Sequence, residues 1–285
     1  MTRGEKRTAL VLGAGGLVGA AWETGILRGL AEAGTDLSCA DLIVGSSAGA
    51  VVGAQLASGA VTVEGLYERQ LNGTDSEPAA RLGIPTVLRY AVAVLTSRTP
   101  EAYGRKVGRL ALTARTVDEA ARRETVARRL DQVTDWPGRR LLVTAVDAVS
   151  GELHTYDADS GIPLIDAVTA SCAVPGLWPP ATIGGRRWID GGIHSTANAH
   201  VAAGYDRVVV IAPDGRGNKV VLSPARQGAD LAEAGARVEV ITADADARKA
   251  FGRNALDPAH RATAARAGHA QAARHAEAVA AVWTG

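Results

Sequence analysis

Positions 45–49 read Gly-Ser-Ser-Ala-Gly and place one serine hydroxyl midway between two glycines. This G-x-S-x-G spacing follows the apolar run 41–44 and precedes a stretch of helical periodicity, which is where a strand turns sharply into a helix. Such a turn tolerates only glycine at its flanks, so Gly45 and Gly49 permit it while Ser47 projects out of the sheet. The pattern predicts Ser47 as the nucleophile of an acyl transfer. An ordinary turn of small residues is the alternative in a chain with 33 glycines.

A second glycine-rich segment, residues 13–19, follows the apolar run 8–12 and opens another predicted helix. Backbone N–H groups at a helix N-terminus can bind negative charge, so this loop is a candidate oxyanion-binding element. A dinucleotide site is the alternative, because Gly13 and Gly15 match the start of that fingerprint. Val18 occupies the position of the third glycine, however, and no acidic residue ends the second strand to bind a ribose. The loop therefore fits an oxyanion better than a dinucleotide.

A serine nucleophile needs a base, and the chain offers six histidines and one well-placed aspartate. None of the histidines lies in a sequence setting that singles it out. Residues 188–192 read Trp-Ile-Asp-Gly-Gly, in which an apolar approach precedes Asp190 and two glycines, Gly191 and Gly192, follow it. This pattern places the carboxylate of Asp190 at a strand end where the backbone turns away. Asp190 is therefore the candidate base, with an ordinary Asp-Gly turn as the alternative.

Taken together, these segments resemble the patatin-like phospholipase family. The family pattern is a glycine-rich oxyanion loop, then G-x-S-x-G, then D-G-G or D-G-A. Here the three parts match residues 14–19, 45–49 and 190–192, in that order. Residues 170–180, Ala-Ser-Cys-Ala-Val-Pro-Gly-Leu-Trp-Pro-Pro, are similar to the A-S-x-A-x-P-x-x-F-x-P segment that precedes the family's aspartate. The resemblance spans about residues 8–215.

The glycine-rich loop departs from the family pattern at two positions. The family usually has G-G-G-x-R/K-G, whereas this chain has Ala14 at the first glycine and Val18 at the basic position. A cation beside the oxyanion contributes electrostatic stabilisation that a valine does not, although the backbone donors remain. These departures predict a slow enzyme or an altered choice of head group.

The resemblance implies a Ser–Asp dyad that works without histidine, metal ion or cofactor. In this mechanism Ser47 attacks an ester carbonyl, Asp190 accepts its proton, and water hydrolyses the resulting acyl-enzyme. Burial beside Trp188 is expected to raise the pKa of Asp190, because a carboxylate is a weak base at its reference pKa of about 3.9. The implied substrates are phospholipids, lysophospholipids or simpler lipid esters. The backbone N–H groups implied for the oxyanion hole are those of Gly15, Gly16, Leu17 and Ala48.

Two other functions stay open at this stage. One is an esterase of the α/β-hydrolase class that uses Ser47 in a Ser-Asp-His triad with a late histidine such as His260. The other is a catalytically silent protein that binds a lipid or a nucleotide. Three tryptophans are candidates either for an acyl pocket or for the core: Trp22, Trp178 and Trp188.

The first sixty residues contain two units of strand, glycine turn and helix, which predict a parallel sheet with helices on its faces. The predicted fold is a three-layer α/β/α sandwich whose mostly parallel central sheet brings Ser47 and Asp190 together. No internal repeat or linker is evident, so residues 1–285 are predicted to form one domain. Strands are predicted at 8–12, 41–44, 140–145, 154–156, 207–211 and 237–241. Helices are predicted at 19–33 with Gly34 as the C-cap, from the Gly/Ser turn after the second strand to about residue 58, and at 258–283.

Positive charge is concentrated in residues 98–140, which carry eleven basic and six acidic residues in a chain of net charge +1. This segment and its helical periodicity predict a basic helical cap over about residues 78–138. The charge is typical of a solvated helical face. The functional alternative is a basic face that attracts an anionic membrane surface. The near balance of 31 basic and 30 acidic residues argues against a nucleic-acid binder, and a homo-oligomer is left open. The apolar residues predicted to share the buried side are Val107, Leu110, Leu112, Val117, Val126 and Leu130.

The apolar stretch 9–22 is the segment that most resembles a membrane-directing sequence. It is shorter than the roughly 20 residues that a membrane-spanning helix needs, and glycines interrupt its middle, which is unlike a secretion signal. Two cysteines are also too few for a disulfide framework. The sequence therefore predicts a cytoplasmic protein.

Overall fold

A computed structural model of the chain describes residues 6–73 and 79–285. Residues 1–5 and 74–78 lie outside this description, and with them Pro78, the first residue of the predicted cap. The described strands are β1 (Thr8–Leu12), β2 (Leu42–Gly45), β3 (Arg140–Asp147), β4 (Leu153–Tyr156), β5 (Ala181–Ile183), β6 (Arg186–Asp190), β7 (Arg207–Ala212) and β8 (Arg237–Thr242). The described α-helices are α1 (Gly16–Glu32), α2 (Ala48–Ser58), α3 (Val63–Asn72), α4 (Ile84–Thr96), α5 (Pro100–Thr113), α6 (Glu119–Leu130), α7 (Leu164–Ser171), α8 (Pro224–Glu233), α9 (Ala245–Ala250), α10 (Arg261–Ala272) and α11 (Ala276–Thr284).

The strands form one mixed sheet in the order β5-β6-β3-β2-β1-β7-β8, with β4 also paired to β3. The five strands from β3 to β8 in this order run parallel to one another. The pairs of β3 with β4, β3 with β6 and β5 with β6 are antiparallel. The predicted mostly parallel sheet is therefore confirmed, with an antiparallel extension at the edge that carries Asp190.

Helices cover both faces of the sheet and produce three layers. On one face, Leu10 and Leu12 of β1 belong to a core that includes α1, α2 and α10. On the other face, Ala9 and Val11 of the same strand pack with the short helical turn at residues 199–202 and with α8. Successive side chains of a strand point to opposite faces, so β1 is apolar from Ala9 to Leu12 because both of its faces are covered. The predicted three-layer α/β/α architecture is confirmed.

The first helix begins and ends close to the predicted positions. α1 starts at Gly16, three residues before the predicted start, and ends at Glu32. Ala33 caps it, and Gly34 follows with φ 95°, in the left-handed region that favours glycine. The predicted glycine stop is therefore present, one position beyond the residue that caps the helix.

The helical structure predicted over residues 258–283 is present, and it consists of two helices, α10 and α11. α10 packs along α1, whereas α11 packs against β7 and β8. One straight helix would not reach both partners, so the chain turns at residues 273–275. The three-residue strand β5 was not predicted, and it is held by its pairing with β6.

The basic segment forms α5 and α6, and its predicted buried side is only partly correct. Val107, Val126 and Leu130 are buried as predicted, and so is Leu110, but Leu112 and Val117 are 41% and 51% exposed. The helical period is interrupted between Thr113 and Glu119, so residues on the two helices do not share one continuous face. Within the described ranges, none of the helices has the length and apolar character needed to cross a membrane.

Candidate active site

Ser47 occupies the tight turn between β2 and α2. Its backbone has φ 52° and ψ −112°, a conformation that is unfavourable for a residue with a side chain. A Cβ atom on Gly45 would lie 2.6 Å from the Cα of Ala50, so only glycine fits there. A Cβ atom on Gly49 would overlap the carbonyl oxygen of Leu12. Close backbone packing therefore holds Ser47 in the strained turn that the motif predicted.

The register of the sheet brings Asp190 level with Ser47. Gly45 at the end of β2 pairs with Val143 of β3. Asp190 at the end of β6 pairs with Ala145, two residues further along the same strand. Because the serine also lies two residues beyond Gly45, the two side chains meet across the end of β3. The Oγ of Ser47 donates a hydrogen bond to Oδ2 of Asp190 at 2.7 Å.

The carboxyl group of Asp190 is held in a state that suits a base. Only 5% of the residue is exposed, and burial raises its pKa from the ordinary 3.8 to about 6. The hydrogen bonds from Ser47 Oγ and from the N–H of Gly192, the latter at 2.8 Å, and the positive charge of Arg122 each lower the pKa and partly offset the effect of burial. A pKa near 6 leaves the group ionised at neutral pH yet basic enough to accept a proton. The expected rise in basicity is confirmed.

The glycine-rich loop lies beside Ser47 at the start of α1. Gly16 has φ 66°, and a Cβ atom there would lie 2.6 Å from the carbonyl oxygen of Ala255, so glycine is required. The first N–H groups of a helix have no acceptor within that helix. Among the backbone hydrogen bonds of the described chain, none is donated by the N–H groups of Gly15, Gly16, Leu17 or Ala48. These four predicted donors all line the pocket that contains Ser47 and Asp190.

The two departures of the loop from the family pattern have different structural consequences. Ala14 lines the pocket, but Val18 is fully buried in the core, and its N–H donates to the carbonyl oxygen of Ala255 at 3.2 Å. The basic position of the family loop is therefore filled by a core side chain. A cation reaches the pocket from α6 instead: Arg122 is 2% exposed, with its guanidinium 4.2 Å from the centre of the Trp178 ring.

Two residues that the sequence analysis did not single out hold the site by hydrogen bonds to Ser47 and to its neighbours. The hydroxyl of Ser171 accepts a hydrogen bond from the N–H of Ser47 at 2.8 Å. The side-chain amide of Asn198 donates to Ser46 Oγ at 2.9 Å and to the carbonyl oxygen of Gly191 at 3.0 Å. These two hydrogen bonds connect the tight turn between β2 and α2 to the turn after β6. Ser171 lies in the segment that carried the resemblance, so that segment was a usable signal. Asn198 had no signal in the sequence.

Ser47 and Asp190 lie in the wall of a pocket of about 720 Å³, a volume typical of ligand sites. Trp178 also lines it, whereas Trp22 and Trp188 pack in the core. None of the described residues that line this pocket is a histidine. The structure thus brings both predicted reactive groups, the loop and one of the three candidate tryptophans to one cavity.

Comparison with known proteins gives a family match and matches to solved structures, among them VipD and ExoU. The Patatin-like phospholipase family model matches residues 10–203. The crystal structure of VipD from Legionella pneumophila matches with 16% identity and a TM-score of 0.48, over 96% of this chain and 67% of that one. The crystal structure of type III effector protein ExoU matches with 16% identity and a TM-score of 0.47, over 95% of this chain and 53% of that one. No curated protein matches the chain.

The chain belongs to the patatin-like phospholipase family, since the family model covers well over half of it. The matched range includes Ser47, Asp190 and the glycine-rich loop. Family membership supports a lipolytic hydrolase with lipid substrates. The chain spans about two thirds of the length of VipD and about half of ExoU.

Across the described residues, no group of three or more His, Cys, Asp or Glu side chains is arranged to hold a metal ion.

Proposed function

We propose that this protein is a serine acyl-ester hydrolase that cleaves phospholipids, lysophospholipids or related lipid esters with a Ser–Asp dyad. The observation that carries the proposal is the 2.7 Å hydrogen bond from Ser47 Oγ to Asp190 Oδ2, in a pocket wall that also contains the glycine-rich loop. A buried carboxylate with a pKa of about 6 can take the place that histidine holds in a triad.

The reaction proceeds in two halves. In the first, Asp190 accepts the hydroxyl proton as Ser47 Oγ attacks the ester carbonyl, and the negative charge moves to the carbonyl oxygen. Backbone N–H groups stabilise this oxyanion, and Asp190 then returns the proton to the departing alcohol. In the second half, water attacks the acyl-enzyme as Asp190 accepts a proton from it. Asp190 then gives this proton to Ser47 Oγ as the bond between the acyl group and the serine breaks, and the fatty acid leaves. The donors proposed for the oxyanion are the N–H groups of Gly15, Gly16, Leu17 and Ala48.

The segment that contains α4, α5 and α6 acts in this proposal as a cap on a single hydrolase domain. It contributes Leu82, Tyr90, Arg122 and Arg129 to the wall of the pocket that holds the dyad. Tyr90 is anchored by a hydrogen bond from its hydroxyl to the carbonyl oxygen of Pro175 at 3.0 Å. The pocket therefore combines the rigid end of the sheet with side chains from the helices above it.

The proposal is tested with an ester and phospholipid panel on the wild-type protein and on Ser47→Ala. We expect the wild type to release fatty acid and Ser47→Ala to lose at least about 10³-fold in kcat/KM, as loss of a catalytic nucleophile does. A fluorophosphonate probe should label the wild type and leave Ser47→Ala unlabelled. Equal turnover by the two proteins would refute the proposal, and a wild type that neither turns over esters nor reacts with the probe would favour a silent binding protein.

The six histidines supply the test between a dyad and a triad. None of them lines the pocket, so replacing each by asparagine in turn is expected to change kcat/KM by less than about threefold. A loss of 10³-fold on one replacement, such as His260→Asn, would instead support the triad of an α/β-hydrolase.

A further inference from the structure

Helix α4 presents an apolar face to solvent. Large apolar side chains are normally buried, and a contiguous exposed group of them marks an interaction site. Their spacing, at positions 84, 87, 88, 92 and 95, follows the helical period and places them on one side of the helix. The residues are Ile84, Val87, Leu88, Val92 and Leu95, with exposed fractions between 51% and 78%.

The opposite side of α4 is fixed to the protein body, so the apolar face is not a consequence of a loose helix. Ala93 is 5% exposed, and the hydroxyl of Tyr90 donates to the carbonyl oxygen of Pro175 at 3.0 Å. The Tyr90 ring also meets the ring of Tyr103 on α5, edge to face, at 6.5 Å between centres. At the C-terminal end, Lys219 Nζ donates to the carbonyl oxygen of Leu95 at 2.6 Å. The helix therefore holds its apolar side outward.

A groove of about 540 Å³ runs between α4 and α5, and its charge is entirely positive among the described residues that line it. Leu88 and Val92 form part of its apolar surface. Arg89, Lys106 and Arg109 supply the charge, and no Asp or Glu lines the groove in the described chain. An apolar helix face beside a cluster of cations is the pattern of elements that lie in the interface of an anionic membrane.

The same helix reaches the active-site pocket. Leu82, just before α4, and Tyr90 within it both line the cavity that holds Ser47. Thr86 of α4 packs closely on Gly176, because a Cβ atom added to Gly176 would lie 2.9 Å from the Thr86 methyl group. A partner surface in contact with the apolar face of α4 would therefore lie next to the pocket. A hydrolase of membrane lipids must take up its substrate at such a place.

We propose that the apolar face of α4 and the cationic groove beside it form a docking surface for an anionic lipid bilayer. The apolar residues enter the head-group region, and Arg89, Lys106 and Arg109 contact anionic head groups. This gives the proposed lipid hydrolase a means of drawing substrate from a membrane surface, and the purpose of the surface rests on that function. The binding itself does not, so the two are tested separately.

The test measures co-sedimentation with vesicles, using Ser47→Ala protein so that no hydrolysis alters the lipid. We expect binding to vesicles of phosphatidylcholine with about one third phosphatidylglycerol to exceed binding to pure phosphatidylcholine at least tenfold, and to weaken as salt is raised. A Leu88→Glu, Leu95→Glu double substitution should reduce binding at least about tenfold, because charged side chains then replace the apolar contact. Arg109→Glu should reduce it at least about fivefold.

Two variants serve as matched controls on other helices. Ala278→Glu adds a negative charge at an exposed position of α11, and Arg266→Glu reverses an exposed charge on α10. Both should bind as the parent does. Binding that is indifferent to lipid charge, or equal losses in the control variants, would overturn the proposal. So would a self-association in lipid-free buffer that Leu88→Glu, Leu95→Glu abolishes, because a second copy of the chain would then be the occupant. A wild type that hydrolyses no ester refutes the proposed function but leaves the vesicle result intact.

Discussion

The carboxyl end of the sheet and helix α4 differ in how completely they are packed. At the sheet end, Ser46, Ser47 and Asp190 are at most 8% exposed, and each of their side chains has a hydrogen-bond partner. On α4, Ala93 is buried, while five large apolar side chains face solvent. A reaction centre needs fixed geometry, since positions of reacting groups govern the rate. A surface for a fluid partner does not, so the difference in packing is the one expected between the proposed reaction centre and the proposed docking surface.

Asp190→Asn tests the sheet end and is expected to have the largest effect. If the sheet end is the reaction centre, the amide keeps the shape but accepts no proton, and kcat/KM for a short-chain ester should fall at least about 10³-fold. Asp230→Asn on α8, where the carboxylate forms an exposed ion pair with Arg226 at 2.8 Å, is the control and should keep full activity. Circular dichroism checks that both variants fold. Retained turnover in Asp190→Asn would show that the reaction does not need this carboxylate.

The same substitution should have a pH-dependent effect on stability. The pKa of Asp190 is about 6 in the folded protein and its ordinary value is 3.8, so ionisation is harder in the folded state. Stability from this group is fully present below pH 3.8 and is lost as the pH rises through about 6. The free energy of unfolding of Asp190→Asn, relative to that of the wild type, should therefore rise by roughly 2 kcal/mol between pH 4 and pH 7.5, measured by urea unfolding. A difference that does not change with pH would show that the carboxylate is not destabilised by burial.

Wild-type activity should follow the opposite trend, because only ionised Asp190 accepts a proton. We expect kcat/KM for a water-soluble ester to rise about tenfold per pH unit below a pKa of about 6 and then to level off. Initial rates between pH 4.5 and 9 measure this. A profile that keeps rising beyond pH 8 would contradict the role of this carboxylate.

Gly49 tests how rigid the packing is at the sheet end. A Cβ atom there would overlap the carbonyl oxygen of Leu12 in the central strand, so Gly49→Ala should destabilise the protein by about 3 kcal/mol. The control is Gly138→Ala, in the loop after α6, where a Cβ atom has nothing within 4 Å. That variant should change the free energy of unfolding by less than about 0.5 kcal/mol. Equal values for the two would mean that the sheet end yields as easily as the loop.

The smallest expected effect concerns backbone strain at the nucleophile. Because Ser47 has φ 52°, Ser47→Gly should be more stable than Ser47→Ala by about 1 kcal/mol. In the regular helix α6, the exposed Ala127 should show the reverse, with Ala127→Gly losing about 1 kcal/mol. Thermal and urea unfolding of the variants measure both differences. Ser47→Gly being the less stable of its pair would show that the turn is not strained.

The sequence singled out Ser47 and Asp190 as candidate reactive groups because their signals are local. Gly45 and Gly49 flank Ser47 because no other residue fits the turn, and the motif expresses that constraint directly. Asp190 was found through the glycines that follow it. Ser171 and Asn198 were missed because Ser47 and Ser46, to which they are hydrogen-bonded, lie more than a hundred residues away in the chain. Leu112 and Val117 were predicted to be buried because periodicity does not reveal where one helix ends and another begins.

The amino-acid sequence by itself determined the two sharp turns, most strands of the central sheet and the chemical types of the candidate reactive groups, because steric limits on glycine and apolar periodicity act over a few residues. Only the tertiary structure decided that Ser47 and Asp190 meet across β3, that Arg122 enters the pocket, and that one face of α4 has no covering layer. These facts depend on strand register and helix packing between distant segments, and no local pattern encodes them.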